Sequence, residues 1–356
     1  MSDGLTIQSH KGPYSVFFDD QLLANAGELI KGQPHFLVDA NVARLYADRL
    51  RPVLDHPHTL VIEATEENKS IERIIPVIER LVANKARRDH TLFAIGGGII
   101  QDMTCFIAST FMRGVDWKFV PTTLLAQADS CIGSKSSINL GATKNILGTF
   151  NPPKEIFLCT AFLDTLENKD VRSGIGEILK VHAIEGAAVF DRLAADYDAL
   201  LADRTVLLKY IRSALSIKQR YIEVDEFDKG VRNIFNYGHS FGHAIESATH
   251  FGIPHGIGVT IGVDMANRIA VLRGQLPEAQ FLRMHPALRK NYGEFANIPI
   301  PVDAMLSALT KDKKNTSSRL VLILPLGDAA RPERVEVASD DAFRAQCVQY
   351  LRELRT

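Results

Sequence analysis

The chain is poor in cysteine, and its four cysteines, Cys105, Cys131, Cys159 and Cys347, form no CxxC pair. That spacing excludes a disulfide framework and a zinc knuckle and suits a reducing, cytoplasmic compartment. Neither sign of charge is in excess: 41 Lys and Arg face 42 Asp and Glu, for a net charge of −1. A global basic surface for nucleic acid and an acidic tail are both excluded. No apolar run approaches the roughly 20 residues that cross a bilayer, so no membrane partner is expected. The opening MSDGLTIQSHKGPYSVFF lacks the basic-then-apolar pattern of a signal peptide. Internal repeats and low-complexity tracts are missing as well.

What is present is an ordinary globular composition, 46% hydrophobic over 356 residues, enough for two cores. Strand-like runs at 14–18, 35–38, 59–63, 91–95, 118–120 and 156–158 alternate with helical spacings such as Ile71, Ile74, Ile78 and Leu81. Such alternation predicts a parallel sheet with crossover helices. After Leu166 helical patterns take over, at 171–186, 205–224, 240–250, 259–272 and 302–309, and only 319–324 reads as a strand. The expected fold is an α/β dinucleotide-binding domain, residues 1–165, followed by a mainly α-helical domain, residues 166–356. The active site is expected in the cleft between them.

Three groups of residues carry chemistry. A strand runs straight into Gly96, Gly97 and Gly98 and then a helix, so backbone N–H groups can approach a phosphate with help from the helix dipole. The spacing is not G-x-G-x-x-G, and a plain tight turn is an equal reading. Asp39, at another strand end, suits either a ribose hydroxyl or a helix cap.

The second group is the stretch NYGHSFGHAIE, which sets His239 and His243 four residues apart on one helical face. His255 follows, and Glu177 sits on an otherwise apolar helix, where a carboxylate needs a partner to be buried. Imidazoles with one carboxylate suit zinc or a similar divalent ion with an open position for substrate. By analogy with H-E-x-x-H, the i, i+4 pair is the expected ligand pair. The third group is Lys135, Lys144, Lys180, Lys218 and Arg232, beside glycine, serine or apolar positions. Such cations suit an anionic substrate bearing phosphate, carboxylate or both.

Together these residues resemble the 3-dehydroquinate synthase family of sugar-phosphate cyclases. The resemblance rests on Gly96–Asp102, on PTTLLAQADS at 121–130, on Lys144-Asn145, and on NYGHSFGHAIE with Glu177 and His255 in place. It implies NAD and a divalent metal, zinc or cobalt, as cofactors. The implied reaction oxidises a substrate hydroxyl, eliminates phosphate, returns the hydride and closes a ring, so NAD is used catalytically. The net class is a carbon–oxygen lyase, in the shikimate pathway of aromatic amino acid biosynthesis.

Residue by residue, the resemblance makes Glu177, His239 and His255 the metal ligands and moves His243 beside the leaving phosphate. It makes Lys135, Asn145, Lys180, Lys218, Arg232 and Asn236 substrate contacts, with Lys313 from the Lys311–Lys314 segment. Arg113 takes the place of an arginine supplied across a homodimer interface. Asp39, Glu66, Lys69, Gly97, Gly98, Asp102, Thr122, Thr123, Asp129, Lys144 and Thr165 match nucleotide-binding positions.

Arg232 and Asn236 favour 3-deoxy-D-arabino-heptulosonate 7-phosphate, a sugar-acid phosphate, as substrate. Related cyclases of the amino-dehydroquinate, 2-deoxy-scyllo-inosose or valiolone type are the alternative, followed by a metal-dependent polyol dehydrogenase. Several positions depart from the family pattern: Ser134, Ser136 and Ser137 in its GGK-TG(V/I)N stretch, Ile257 in its HGExV, and Gln101 before Asp102.

Overall fold

A computed structural model describes residues 4–141, 143–311, 315 and 319–355. The chain forms two compact units: Met1–Leu166 with Gln219–Phe227, and Glu167–Lys218 with Asp228–Thr356. The tail of one long helix thus belongs to the first unit, an excursion that patterning along the chain does not reveal.

The first unit is built on strands β1 (Gly4–Ile7), β2 (Tyr14–Phe18), β3 (Pro34–Asp39), β4 (Thr59–Ile62), β5 (Thr91–Gly96) and β6 (Asp116–Pro121). A hairpin of β7 (Lys135–Leu140) and β8 (Thr143–Phe150) precedes β9 (Glu155–Leu158). The seven-stranded sheet has the order β1-β2-β9-β6-β5-β3-β4. It is parallel except for the β1–β2 pair. Helices α1 (Ala40–Leu45), α2 (Arg51–Leu54), α3 (Ile71–Ala83) and α4 (Gly98–Thr110) make the connections. Strands β3 and β5 are almost wholly buried, which explains their unbroken apolar runs.

After β3 the chain goes to one side and after β5 to the other. The carboxyl ends of these two strands are therefore a topological switch point, where open α/β sheets bind ligands. Asp39 and Gly96 stand there side by side: a Cβ on Gly96 would lie 3.2 Å from that of Asp39 and 2.6 Å from Ile100 Cγ1. Only glycine fits that crossing.

The second unit contains α5 (Asn168–Glu185), α6 (Ala187–Ala195), α7 (Tyr197–Ala202), α8 (Arg204–Val224), α9 (His239–Ala248) and α10 (His255–Leu272). It continues with α11 (Glu278–Tyr292), α12 (Val302–Thr310), the antiparallel pair β10 (Arg319–Leu326) and β11 (Arg331–Ala338), and α13 (Asp341–Glu353). Helix α10 is its axis. Gly176 on α5 faces Gly256 on α10, where an added Cβ would sit 2.1 Å from the Gly256 carbonyl oxygen. Gly262 on α10 meets Gly238 just before α9 in the same way, at 2.1 Å.

Farther along α10, the fully buried Asp264 accepts hydrogen bonds from Tyr292 (2.6 Å) and Tyr350 (3.1 Å) and pairs with His285 (3.0 Å), joining α11 and α13 to the axis. Among the described residues no helix is long and apolar enough to cross a membrane.

The structure corrects two expectations for this half. A second strand, β11, pairs with β10, where 319–324 is the only strand expected from the sequence. Helix α11 carries Pro286 in its interior, which hid its periodicity.

Candidate metal centre and cofactor-binding residues

The glycine contacts between α5, α9 and α10 draw four side chains together. His239 opens α9 after Gly238, which has the left-handed φ of 78° that glycine adopts freely. His255 opens α10, and Glu177 projects from the middle of α5. Glu177 Oε1 lies 3.3 Å from His255 Nε2 and 3.7 Å from His239 Nε2. Ring nitrogens of His239, His243 and His255 all fall within 4.8 Å of one another. The structure thus brings His243 to the same cluster, and geometry leaves the i, i+4 reading open beside the Glu177 reading.

The cluster is a set of strongly interacting buried charges. Both Glu177 oxygens are sealed from solvent and accept no hydrogen bond of proper geometry. Burial acts to raise the Glu177 pKa, but the Lys180 ammonium 2.5 Å away and the two imidazoles hold it well below the usual carboxylate range. Burial and Lys180 push His239 well below the ordinary imidazole value, so it is neutral. Burial also disfavours charge on His255, yet Glu177 and Glu246 on its two ring nitrogens outweigh it and hold it at about 10. A buried carboxylate facing imidazole nitrogens fits a divalent borderline metal.

Arg232 and Asn236 lie on the 3₁₀ turn Val231–Asn236, which ends two residues before Gly238. Lys180, Lys218 and Arg232 are 2%, 6% and 5% exposed, unusually deep for cations. Lys313 lies outside the described residues.

In the first unit the predicted nucleotide residues form two groups. At the switch point, Gly97 precedes α4 and its Cα packs on Thr123, a Cβ there being 2.9 Å from Thr123 Cγ2. The Thr122 N–H donates to the Gly96 carbonyl at 3.0 Å. Gly98 opens α4 with free space above it. The Asp39 side chain caps α1 by accepting from Asn41 N at 2.8 Å, so the cap reading is realised.

The second group is a polar network. Lys69 Nζ is 3.4 Å from Asp102, 3.6 Å from Glu66 and 2.8 Å from Asn145 Oδ1. Burial raises Asp102 to about 6, opposed by Lys69. Asn145 stands at φ 53°, its N–H donating to Asn139 at 2.9 Å. Thr165 stands apart in its contacts, its hydroxyl 3.1 Å from that of Tyr46. Asp129 lies within the π-helical turn Ala126–Ser130, and Lys144 is exposed on the hairpin. Arg113, at φ 65°, lines a cavity of about 340 Å³ with Lys11, Arg88 and Lys154.

Three residues that the sequence reading gave no role make contacts beside the predicted ones. Ser134, where the family pattern has glycine, holds φ 66° and donates its hydroxyl to the buried Glu226, just before the exposed Lys135. Ser137 Oγ donates to Asn145 Oδ1 at 3.0 Å. Glu246 Oε1 lies 2.9 Å from His255 Nδ1. For Glu246 the signal was available, because it is seven residues after His239 and three after His243, on one helical face.

The profile described as 3-dehydroquinate synthase N-terminal matches residues 59–173, and that described as 3-dehydroquinate synthase C-terminal matches residues 174–315. The chain belongs to the 3-dehydroquinate synthase family. It is a sugar-phosphate cyclase of that family, an enzyme. It is 33% identical to the 3-dehydroquinate synthase of Alkaliphilus metalliredigens (strain QYMF), over 91% of this chain and 92% of the relative. With that of Alkaliphilus oremlandii (strain OhILAs) the identity is 35%, over 92% and 91%.

Among solved structures, 2-epi-5-epi-valiolone synthase from Streptomyces hygroscopicus subsp. jinggangensis, with NAD+ and Zn2+ bound, superposes with TM-score 0.81 at 27% identity, covering 96% of each chain. A 2-deoxy-scyllo-inosose synthase complexed with carbaglucose-6-phosphate, NAD+ and Co2+ gives TM-score 0.82 at 23% identity, covering 98% of this chain and 99% of that one. An iron-containing alcohol dehydrogenase from Thermotoga maritima shares the fold more distantly, with TM-score 0.62 at 15% identity, covering 99% of each chain.

Proposed function

We propose that the protein is a 3-dehydroquinate synthase: a phosphate-eliminating carbon–oxygen lyase that converts 3-deoxy-D-arabino-heptulosonate 7-phosphate to 3-dehydroquinate with NAD used catalytically. The observation that carries the reading is the charge set of the second unit: Glu177 among His239 and His255, with Lys180, Lys218 and Arg232 all buried. Buried cations of this kind suit a substrate bearing both a carboxylate and a phosphate.

Glu177, His239 and His255 would hold zinc or cobalt. The metal, when bound, supplies Lewis-acid polarisation of a substrate oxygen. NAD, when bound, would supply hydride-transfer capacity. Gly97, Gly98, Thr122, Thr123 and Asp39 at the switch point would bind it, with Glu66, Lys69, Asp102, Asp129, Lys144 and Thr165. Arg232 and Asn236 orient the substrate carboxylate end. His243 stands where a proton passes near the leaving phosphate, and Lys135, Asn145, Lys180 and Lys218 fix the remaining oxygens. Arg113 reaches the site of a second copy in a homodimer.

The test offers protein with zinc or cobalt and trace NAD three substrates: 3-deoxy-D-arabino-heptulosonate 7-phosphate, sedoheptulose 7-phosphate and glucose 6-phosphate. Phosphate release and a product of the mass of 3-dehydroquinate from the first are expected. Release from only one of the other two overturns the assignment. NADH accumulating without phosphate release would point to a dehydrogenase.

A further inference from the structure

Two of the candidate ligand histidines are held in different ways. His239 has its side chain 16% exposed, and its Nδ1 makes only a long contact, 3.4 Å, with the Tyr237 carbonyl. Burial among neighbours sets that ring. His255 is the first residue of α10, preceded by Pro254, and its side chain is 36% exposed. It has no helical turn before it to pack against. What it has instead is a carboxylate on each ring nitrogen: Glu246 Oε1 at 2.9 Å from Nδ1 and Glu177 Oε1 at 3.3 Å from Nε2.

We propose that Glu246 is a positioning residue of the metal centre, fixing the ring orientation and tautomer of His255. This inference rests on the metal reading given above. When a metal displaces the proton that His255 carries on Nε2, the Nδ1–H donated to Glu246 keeps the lone pair on Nε2 and makes that nitrogen the better donor. Glu246 is 8% exposed, and its side chain lies along Gly258, where a Cβ would be 3.3 Å from both Glu246 Cγ and Oε1. The bare backbone of Gly258 leaves the carboxylate room to reach His255. One face of α9 therefore supplies His239, His243 and the residue that aims the third histidine.

Cobalt binding to metal-free protein, read by competition with a chromophoric chelator and by the visible cobalt spectrum, tests this without turnover. Wild type should bind one cobalt per chain, and His255→Ala should lose it. Glu246→Ala should bind cobalt about 10- to 100-fold more weakly with an altered spectrum. Glu246→Gln, whose amide oxygen still accepts from Nδ1, should fall between. Circular dichroism of the metal-free variants reports folding; if Glu246→Ala does not fold, the Glu246→Gln affinity decides. Wild-type affinity in the folded Glu246 variants, with His255→Ala defective, overturns the inference alone. Absence of cobalt binding by wild type overturns the metal reading itself, and the inference with it.

Discussion

Glu177 and Lys180, one helical turn apart on α5, are 1% and 2% exposed and hold their charges 2.5 Å apart. A pair this deep gains little over an apolar pair, but losing one partner strands the other charge. Lys180→Met should therefore cost the metal-free protein about 3–5 kcal/mol in urea unfolding. Added zinc or cobalt should restore part of the loss, because a bound cation again faces Glu177 and favours the folded state. Unchanged stability, with and without metal, would refute the pairing argument.

His243 is the ambiguous member of the cluster, since its ring nitrogen also lies within the 4.8 Å group. His255→Ala should lose both metal and turnover. His243→Ala should retain one metal per chain after dialysis, while phosphate release slows about 100- to 10,000-fold, the usual range for a lost proton-transfer group. Metal content by elemental analysis separates the two. A metal-free His243→Ala would make the i, i+4 pair the ligands after all.

Gly176→Ala tests the helix crossing. Its Cβ would sit 2.1 Å from the Gly256 carbonyl and 2.5 Å from Thr260 Oγ1, and the carbonyl belongs to a helix backbone that cannot rotate aside. The expected cost is about 3 kcal/mol, lowering Tm on the order of 10 °C, with weakened metal binding. Gly27→Ala, with nothing within 4 Å, is the control and should change little.

His35 makes the first unit sensitive to acid. It is fully buried, stacks between His58 and His90, and is hydrogen-bonded to His90 at 3.0 Å. Burial first, and then His58, His90 and His56, lower its pKa from 6.5 to about 4. A group with a depressed folded-state pKa that must stay neutral contributes fully above pH 6.5 and loses that contribution as pH falls toward 4. The linked loss is on the order of 3 kcal/mol. Denaturation at pH 7.5 and 5.0 should show a slope that His35→Leu flattens; an equal slope in the variant would exonerate His35.

Much of the sheet was legible because fully buried parallel strands are short apolar runs, as at β3 and β5, and their lengths separate them from helices. The hairpin β7–β8 was not. Its residues mix polar and apolar types without clean alternation, β8 is largely exposed, and Asn145 turns at a positive φ that no periodicity announces. The excursion of Gln219–Phe227 into the first unit was equally invisible, since the helix that carries it is uniform along its length.

For the metal centre, residue types and spacing alone determined much: a carboxylate on an apolar helix, two histidines on one helical face, a third histidine close behind, and glycines between them. Those features are local, because helical period and burial cost act within a few residues. Only the tertiary structure decided which groups meet. It set Glu177 against His239 and His255, brought Lys180 to neutralise it, and turned Glu246 onto the far nitrogen of His255. These are relations between three helices, fixed by how closely glycine lets their backbones approach.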